Sequence, residues 1–427
     1  MRQRNGAGMT ATAAPLAVNR RHRPDYKIIL YAGLLVLIGI VVLFAISPYQ
    51  IHRLNDAGGD VDQNHYMLKQ SLYLLAGAGA FTAATLIPLA VWRTFASKLV
   101  LSAIGVCVLL ALLGAVHVSP AMCYNGACRW YDLGFITFQP AEFLKFALLL
   151  FTAGLLGNRI KSGTINNPSE TLLPIGILCA VATVLVVGLQ KDMGTGITIV
   201  GMIAAMVYVA GLSYRYVAMS LAAGAMAGIM FILVSPHRLE RVTTFVNSAA
   251  STDAAGYHIE MAKLAIGSGG VFGRGLGNGV QAFGYLPEAL NDSIFAVLGE
   301  TFGFVGLIVV MLLFAALLIR ILRMVNYLAD PVMRMIVAGV FGWLATHVVV
   351  NIGAMTGILP LTGVTLPFLS FGGTSLLFIM MSLGLVYQVS RYTSHQTVEE
   401  RGKPPDETPR GRGRLRRPRY ASPRSYQ

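Results

Sequence analysis

The stretch GYLPEALNDSIFAVLGETFGFVGLIVVMLLFAALL, Gly284–Leu318, decides the fold. From Ser293 onward it is a continuous apolar run, long enough to cross a hydrocarbon core of about 30 Å as a helix. Similar runs recur from one end of the chain to the other. They are continuous rather than alternating, which excludes a membrane β-barrel. Backbone groups find no water in lipid, so the spans are helices. The chain as a whole agrees. Its 427 residues are 55% hydrophobic and only 12% charged, about half the charged fraction of a soluble domain. Mean hydropathy is +0.64.

The expected fold is therefore an all-α polytopic membrane protein of about ten spans. They are Ile28–Ile46, Gln70–Val91, Leu99–His117, Ala141–Leu156, Leu172–Leu189, Gly194–Leu212, Val217–Val234, Ser293–Leu318, Val332–Met355 and Leu376–Val389. Residues 1–27 and 391–427 form basic tails, and 235–292 form one large loop between spans seven and eight. No cleavable signal is visible; the run from Ile28 is long and lacks a small-residue cleavage site.

Short loops on one side carry Arg93, Lys98, Arg159, Lys161, Arg215, Arg320, Arg323 and Arg334. Both basic tails fall on that side, which makes it the cytoplasm. Net charge is +14. Next to membrane spans, basic tails read as solvated segments attracted to anionic lipid rather than as nucleic-acid binders. The large loop then lies outside. It holds an amphipathic piece, Thr244–Gly267, in which Ile259, Ala262, Lys263 and Ile266 recur at helical spacing. The glycine run SGGVFGRGLGNG, Ser268–Gly279, follows. It suits close backbone approach in a packed re-entrant turn; as a phosphate cradle it is weak, because no strand precedes it. A second irregular stretch, GILPLTGVTLPFLSFGGTS, Gly357–Ser375, has no charge and should dip into the bundle. Cys107 and Cys179 are apolar fillers, while Cys123 and Cys128 share an outer loop as a disulfide or as two thiols.

Ionisable groups within the membrane are functional candidates. Glu142 and Lys145 share one helix face. They read equally as a mutual ion pair and as a substrate-binding pair. Glu300 lies about two turns inside its helix, where it would balance a buried cation such as Lys145. His347 reads as a hydrogen-bonded interhelical histidine. Asn291 and Asp292 precede a helix, and both types cap helix N-termini well. A cap does not account for Glu288 as well, nor for Arg241, Lys263 and Arg274 upstream. Fixed carboxylates and cations at the mouth of an outer cavity suit acid–base chemistry on a charged lipid.

Four blocks carry a family resemblance: GACRWYDLGFITFQPAEFLK (Gly126–Lys145), QKDMGTG (Gln190–Gly196), Ala265–Gly306, and NIGAMTGILPLTGVTLPFLSFGGTSL (Asn351–Leu376). In order and placement they resemble the SEDS proteins (shape, elongation, division and sporulation), the RodA and FtsW group, over nearly the whole chain except the tails. The last block looks slightly nearer the elongation (RodA) type. The resemblance implies a peptidoglycan glycosyltransferase of the bacterial plasma membrane, acting on lipid II at its outer face. It implies inverting displacement of undecaprenyl pyrophosphate, with Asp292 as general base. Arg129, Glu142, Lys145, Lys263, Arg274 and Glu288 are the candidate substrate-binding residues. Glu300, His347 and Asp192 are structural or charge-balancing. A divalent cation, Mg or Mn, is the possible cofactor, bridging the pyrophosphate. A class B penicillin-binding protein, the transpeptidase, is the implied partner. The chain departs from the family pattern at Leu290 and Asn291, where a histidine–threonine pair is usual, and also at Cys128, Lys191, Thr301 and His347. A lipid II flippase and a catalytically weak scaffold for a transpeptidase are the competing readings.

Overall fold

A computed structural model describes residues 23–56, 58–124, 126–134, 136–218 and 254–392. Ten helices account for most of it: α1 (Tyr26–Asp56), α2 (His65–Leu86), α3 (Leu89–Val116), α4 (Pro140–Ser162), α5 (Pro168–Leu189), α6 (Met193–Ala210), α7 (Ala254–Ser268), α8 (Ile294–Val325), α9 (Pro331–Met355) and α10 (Gly373–Val389). Eight of them, α1, α3 to α6 and α8 to α10, are long and apolar enough to cross a membrane. The chain is a multi-pass membrane protein. α2, with 22 residues, is long enough but carries Lys69 and Gln70. The expected seventh span lies almost wholly in 219–253, outside the described residues, as do both tails, Arg241 and the start of the amphipathic piece. Eight membrane-length helices among the described residues agree with an architecture of about ten spans.

One expectation changes. The second span is expected to run to Val91, yet α2 stops at Leu86 and Pro88 takes the N-cap position of α3. Proline has no N–H to give and suits a helix start. Arg93 and Lys98 are consequently within α3. The all-α architecture holds, with one small antiparallel sheet in the loop between α3 and α4, β1 (Ala121–Tyr124), β2 (Ala127–Asp132) and β3 (Thr137–Phe138), in order β1-β2-β3. Cys123 and Cys128 face each other across β1 and β2 and are disulfide-bonded. Gly114 of α3 leaves room for them: a Cβ there would lie 2.6 Å from Cys128 Sγ.

The two ends of the bundle differ. At one end the described termini meet: Ser390 Oγ accepts from Asp25 N at 3.0 Å, and Arg320 pairs with Asp25. Arg93 and Lys161 converge there on Asp330, at 2.6 and 3.2 Å, and Arg159 pairs with Glu170. The opposite end carries the sheet and the loops leading into α8 and α10. Small residues let helices close up in between, as where Gly342 of α9 meets Ala205 of α6, the usual device when lipid supplies no hydrophobic drive.

The glycine run docks on a break in α8. Gly303 takes φ 66° and ψ −165°, which interrupts the helix. The carbonyls of Glu300 and Thr301 accept instead from Arg274 N and Gly275 N, at 2.9 and 3.0 Å. The N–H groups of Phe304 and Val305 donate to Gly270 O and Val271 O, at 2.9 and 3.1 Å. The run thus replaces the hydrogen bonds the helix loses, as non-helical backbone in a membrane protein requires. A Cβ on Gly269 would stand 1.9 Å from Gly299 O, and one on Gly273 2.2 Å from Thr301 O. This is the close backbone approach expected of the run.

Candidate active site

The site lies at the end opposite the described termini, where the residues before α8 meet the loop between α9 and α10. That loop penetrates the bundle as expected. Phe368 and Leu369 reach Gly39 in the middle of α1, where a Cβ would lie 2.9 Å from their backbone. Phe371 N donates to Leu290 O at 2.8 Å, which joins the two loops.

Asp292 sits in this junction. It is 9% exposed, so the open mouth expected for it is largely closed, because the α9–α10 loop folds across it. Ser293, rather than Asn291 or Asp292, holds the N-cap position of α8, and its own side chain makes no cap bond. Asp292 still lies at the helix N-terminus, where the dipole favours a carboxylate. Its Oδ2 faces the α9–α10 loop; a Cβ on Gly363 would be 4.0 Å away. Asn351 Nδ2 donates to Asp292 O and to Val364 O, both at 2.7 Å.

Glu288, one turn earlier, is exposed and has φ 49°. Its carboxylate accepts from Asn291 Nδ2 at 2.6 Å, and its carbonyl accepts from Asn291 N and Ser293 N. The segment Glu288–Ser293 is therefore a tight, self-bonded turn. Behind it, Ser293 Oγ donates to Pro287 O at 2.8 Å, so His258 Nε2, 2.6 Å from the same oxygen, acts as donor to it. His258 of α7 went unread in the sequence, although it stands in the amphipathic piece five residues before Lys263.

Lys263 and Arg274 are exposed cations at the same end. The Lys263 stem crosses Gly357 at the start of the α9–α10 loop, and among the described residues it makes no ion pair. Arg274 Nε donates to Ser268 O at 3.1 Å. Arg129, expected to contact substrate, is bonded here to backbone. Nε and a terminal nitrogen bind the carbonyls of Gln190 and Lys191, at 3.2 and 2.7 Å, fixing the turn between α5 and α6. Asp192 caps α6, its two oxygens accepting from Thr195 N and Thr195 Oγ1 at 2.9 Å, and Gln139 Nε2 adds a bond of 3.0 Å.

Glu142 and Lys145 form a buried ion pair of 2.8 Å. Lys145 is fully buried, also lies 3.1 Å from His347 Nε2, and sits 4.9 Å from the centre of the Trp343 ring. Glu300 does not balance Lys145. It is fully buried, and its carboxylate accepts three backbone N–H bonds, from Val280 at 2.6 Å, Gln281 at 2.9 Å and Ala282 at 2.8 Å. Such a ring of amide dipoles stabilises an anion without a cation. Among the described residues no three His, Cys, Asp or Glu side chains converge to hold a metal ion.

Comparison with known proteins agrees with this architecture. The chain is 32% identical over 379 residues to stage V sporulation protein E of Bacillus subtilis, covering 88% of this chain and 99% of that protein. It is 34% identical over 335 residues to a probable peptidoglycan glycosyltransferase FtsW of Coxiella burnetii, covering 78% and 88%. Among solved structures, RodA of Thermus thermophilus superposes with TM-score 0.60 at 27% identity, over 88% of this chain and 98% of that one. A chain from a peptidoglycan synthase complex that coordinates polymerization and crosslinking gives TM-score 0.69 at 26% identity, over 88% and 99%. The family model for cell cycle proteins of the FtsW, RodA and SpoVE type matches residues 25–395, and the chain belongs to that family.

Proposed function

We propose that this chain is a peptidoglycan glycosyltransferase that polymerises lipid II, with Asp292 as its general base. Relatives of which the chain covers 88% and 96% carry the name "Probable peptidoglycan glycosyltransferase FtsW". The observation that carries the site is the seat of Asp292, a carboxylate at a helix N-terminus enclosed by two loops of fixed geometry.

The acceptor sugar hydroxyl gives its proton to the Asp292 carboxylate as its oxygen attacks the donor's anomeric carbon. The bond from that carbon to the pyrophosphate breaks, and its electron pair leaves on the phosphate oxygen. One displacement inverts the α-linked donor to a β-linked product. The exposed cations Lys263 and Arg274 offset the charge building on the leaving group. A divalent cation here would be held by one or two carboxylates such as Glu288 and would neutralise charge on the leaving pyrophosphate; none of the steps above depends on it. In this reading the end bearing the termini is cytoplasmic, and Asp292 faces the outside of the plasma membrane. A class B penicillin-binding protein crosslinks the product, consistent with the likeness to a chain of a synthase complex.

The test is purified full-length protein with lipid II and a gel for glycan polymer. Polymer from the parent and none from Asp292→Asn is the expected result. Lipid II crossing sealed vesicles without polymer would overturn the reading in favour of transport.

A further inference from the structure

We infer that Asn351 is a positioning residue for the reaction: its side-chain amide clamps the backbone of the base to the loop that faces it. The inference rests on the reading of Asp292 as that base.

Asn351 stands in α9 and is 1% exposed. A primary amide has two N–H donors, and both are used here, on Asp292 O and Val364 O at 2.7 Å each. The assignment of nitrogen and oxygen follows from the partners, since a flipped amide would set its oxygen against two carbonyl oxygens. The first N–H groups of α8, Ala296 N and Val297 N, both donate to Ser293 O rather than to Asp292 O. Without Asn351 that peptide would lose this fixed partner, and with it the direction of the Asp292 Cα–Cβ bond.

The other arm of the clamp fixes what the carboxylate faces. Val364 follows Gly363, which has φ 73° and lies opposite Asp292 Oδ2. One turn back in α9, His347 Nδ1 lies 3.0 Å from Thr365 O. Successive turns of one helix face thus hold Val364 and Thr365, and the nearer one also holds the base. General-base catalysis needs the proton acceptor placed to within fractions of an ångström, and misplacement by 1 Å can cost about 100-fold.

The test uses Asn351→Ala, the isosteric Asn351→Asp, Asp292→Asn and the double variant Asp292→Asn/Asn351→Ala. Full-length protein is purified with its transpeptidase partner, and kcat, KM for lipid II and the thermal midpoint are measured. The expected result for both Asn351 variants is a kcat lower by about 100-fold, with KM within about twofold of the parent and activity lost per folded molecule. Asn351→Asp should do no better than Asn351→Ala, because it sets a carboxylate against two carbonyls. The double variant should match Asp292→Asn, since the clamp acts only through the base.

A kcat near the parent's in both variants overturns the inference, as does a loss that merely follows the fraction of unfolded protein. Failure of both to yield folded protein also overturns it, leaving a structural clamp. An active Asp292→Asn sinks the base reading and this inference together. An inactive Asp292→Asn beside active Asn351 variants sinks this inference alone.

Discussion

Lys145 Nζ and His347 Nε2 lie 3.1 Å apart, buried between α4 and α9. Trp343 Nε1 donates to the same histidine nitrogen at 3.2 Å, so Nε2 is an acceptor and the proton sits on Nδ1, toward Thr365 O. The Lys145 ammonium therefore donates to His347 and to Glu142. Removing one member of a buried pair strands the other charge, at about 3–5 kcal/mol. Lys145→Met should lower the thermal midpoint sharply, and Glu142→Gln/Lys145→Met should recover most of the loss. A single variant as stable as the parent would show that the pair contributes nothing.

Glu300 gives a second prediction. Three N–H donors converge on its carboxylate. In Glu300→Gln one oxygen becomes an NH₂ that faces a donor. Bonds to charged groups are worth about 1.5–3 kcal/mol each, so the variant should lose stability and the Val280–Tyr285 turn should loosen. Hydrogen exchange over residues 280–285 measures it, with faster exchange in the variant expected.

The docked glycine run can be tested at Gly273. Its φ of 82° and the 2.2 Å approach of a Cβ to Thr301 O leave no room for a side chain. Gly273→Ala should undock the run from the break in α8. Limited proteolysis should then cut within 268–279 faster than in the parent.

At the other end, stability should depend on pH through Asp330. Burial raises its pKa, but the hydrogen bonds from Arg93, Val332 N–H and Lys161 outweigh that and hold it below the usual carboxylate value. A depressed native pKa means the unfolded chain binds the proton more readily. The stabilisation is therefore complete above the unfolded value of about 3.9 and is lost as pH falls through the lower native value. Asp330→Asn should remove this part of the acid limb in a scan of thermal midpoint against pH. An unchanged limb would show that the cluster does not contribute.

What was readable in the sequence and what was not divides along the range of the contacts. The spans among the described residues, the clustering of basic residues at one end and the close-packed glycine run are properties of contiguous residues, and they are legible. The ends of α2 and α3 hinged on Pro88 alone. The sheet at Ala121–Phe138 is too short for periodicity to detect. Glu300 reads as a costly carboxylate, but its partners are backbone amides about twenty residues away, which carry no side-chain signature. Asn351 and His258 were passed over because their partners, Asp292 and Ser293, are remote in sequence. The burial of Asp292 is likewise set by the loop at 357–372.

Asp292→Asn is the decisive variant. The substitution keeps the shape of the side chain. It leaves the backbone bond to Asn351 Nδ2 untouched, Ser293 keeps the N-cap position, and an Asn side chain suits a helix N-terminus as well as Asp does. The fold should survive, with a thermal midpoint near the parent's. What disappears is the capacity to accept a proton from a sugar hydroxyl at neutral pH. A general base contributes about 10²–10⁴-fold, so polymerisation should fall by that factor while lipid II binding persists. Glu288→Gln serves as the comparison, because its carboxylate is exposed and already holds Asn291, and it should lose far less. Near-normal polymer from Asp292→Asn with little from Glu288→Gln would move the base one turn upstream, to the residue at φ 49°.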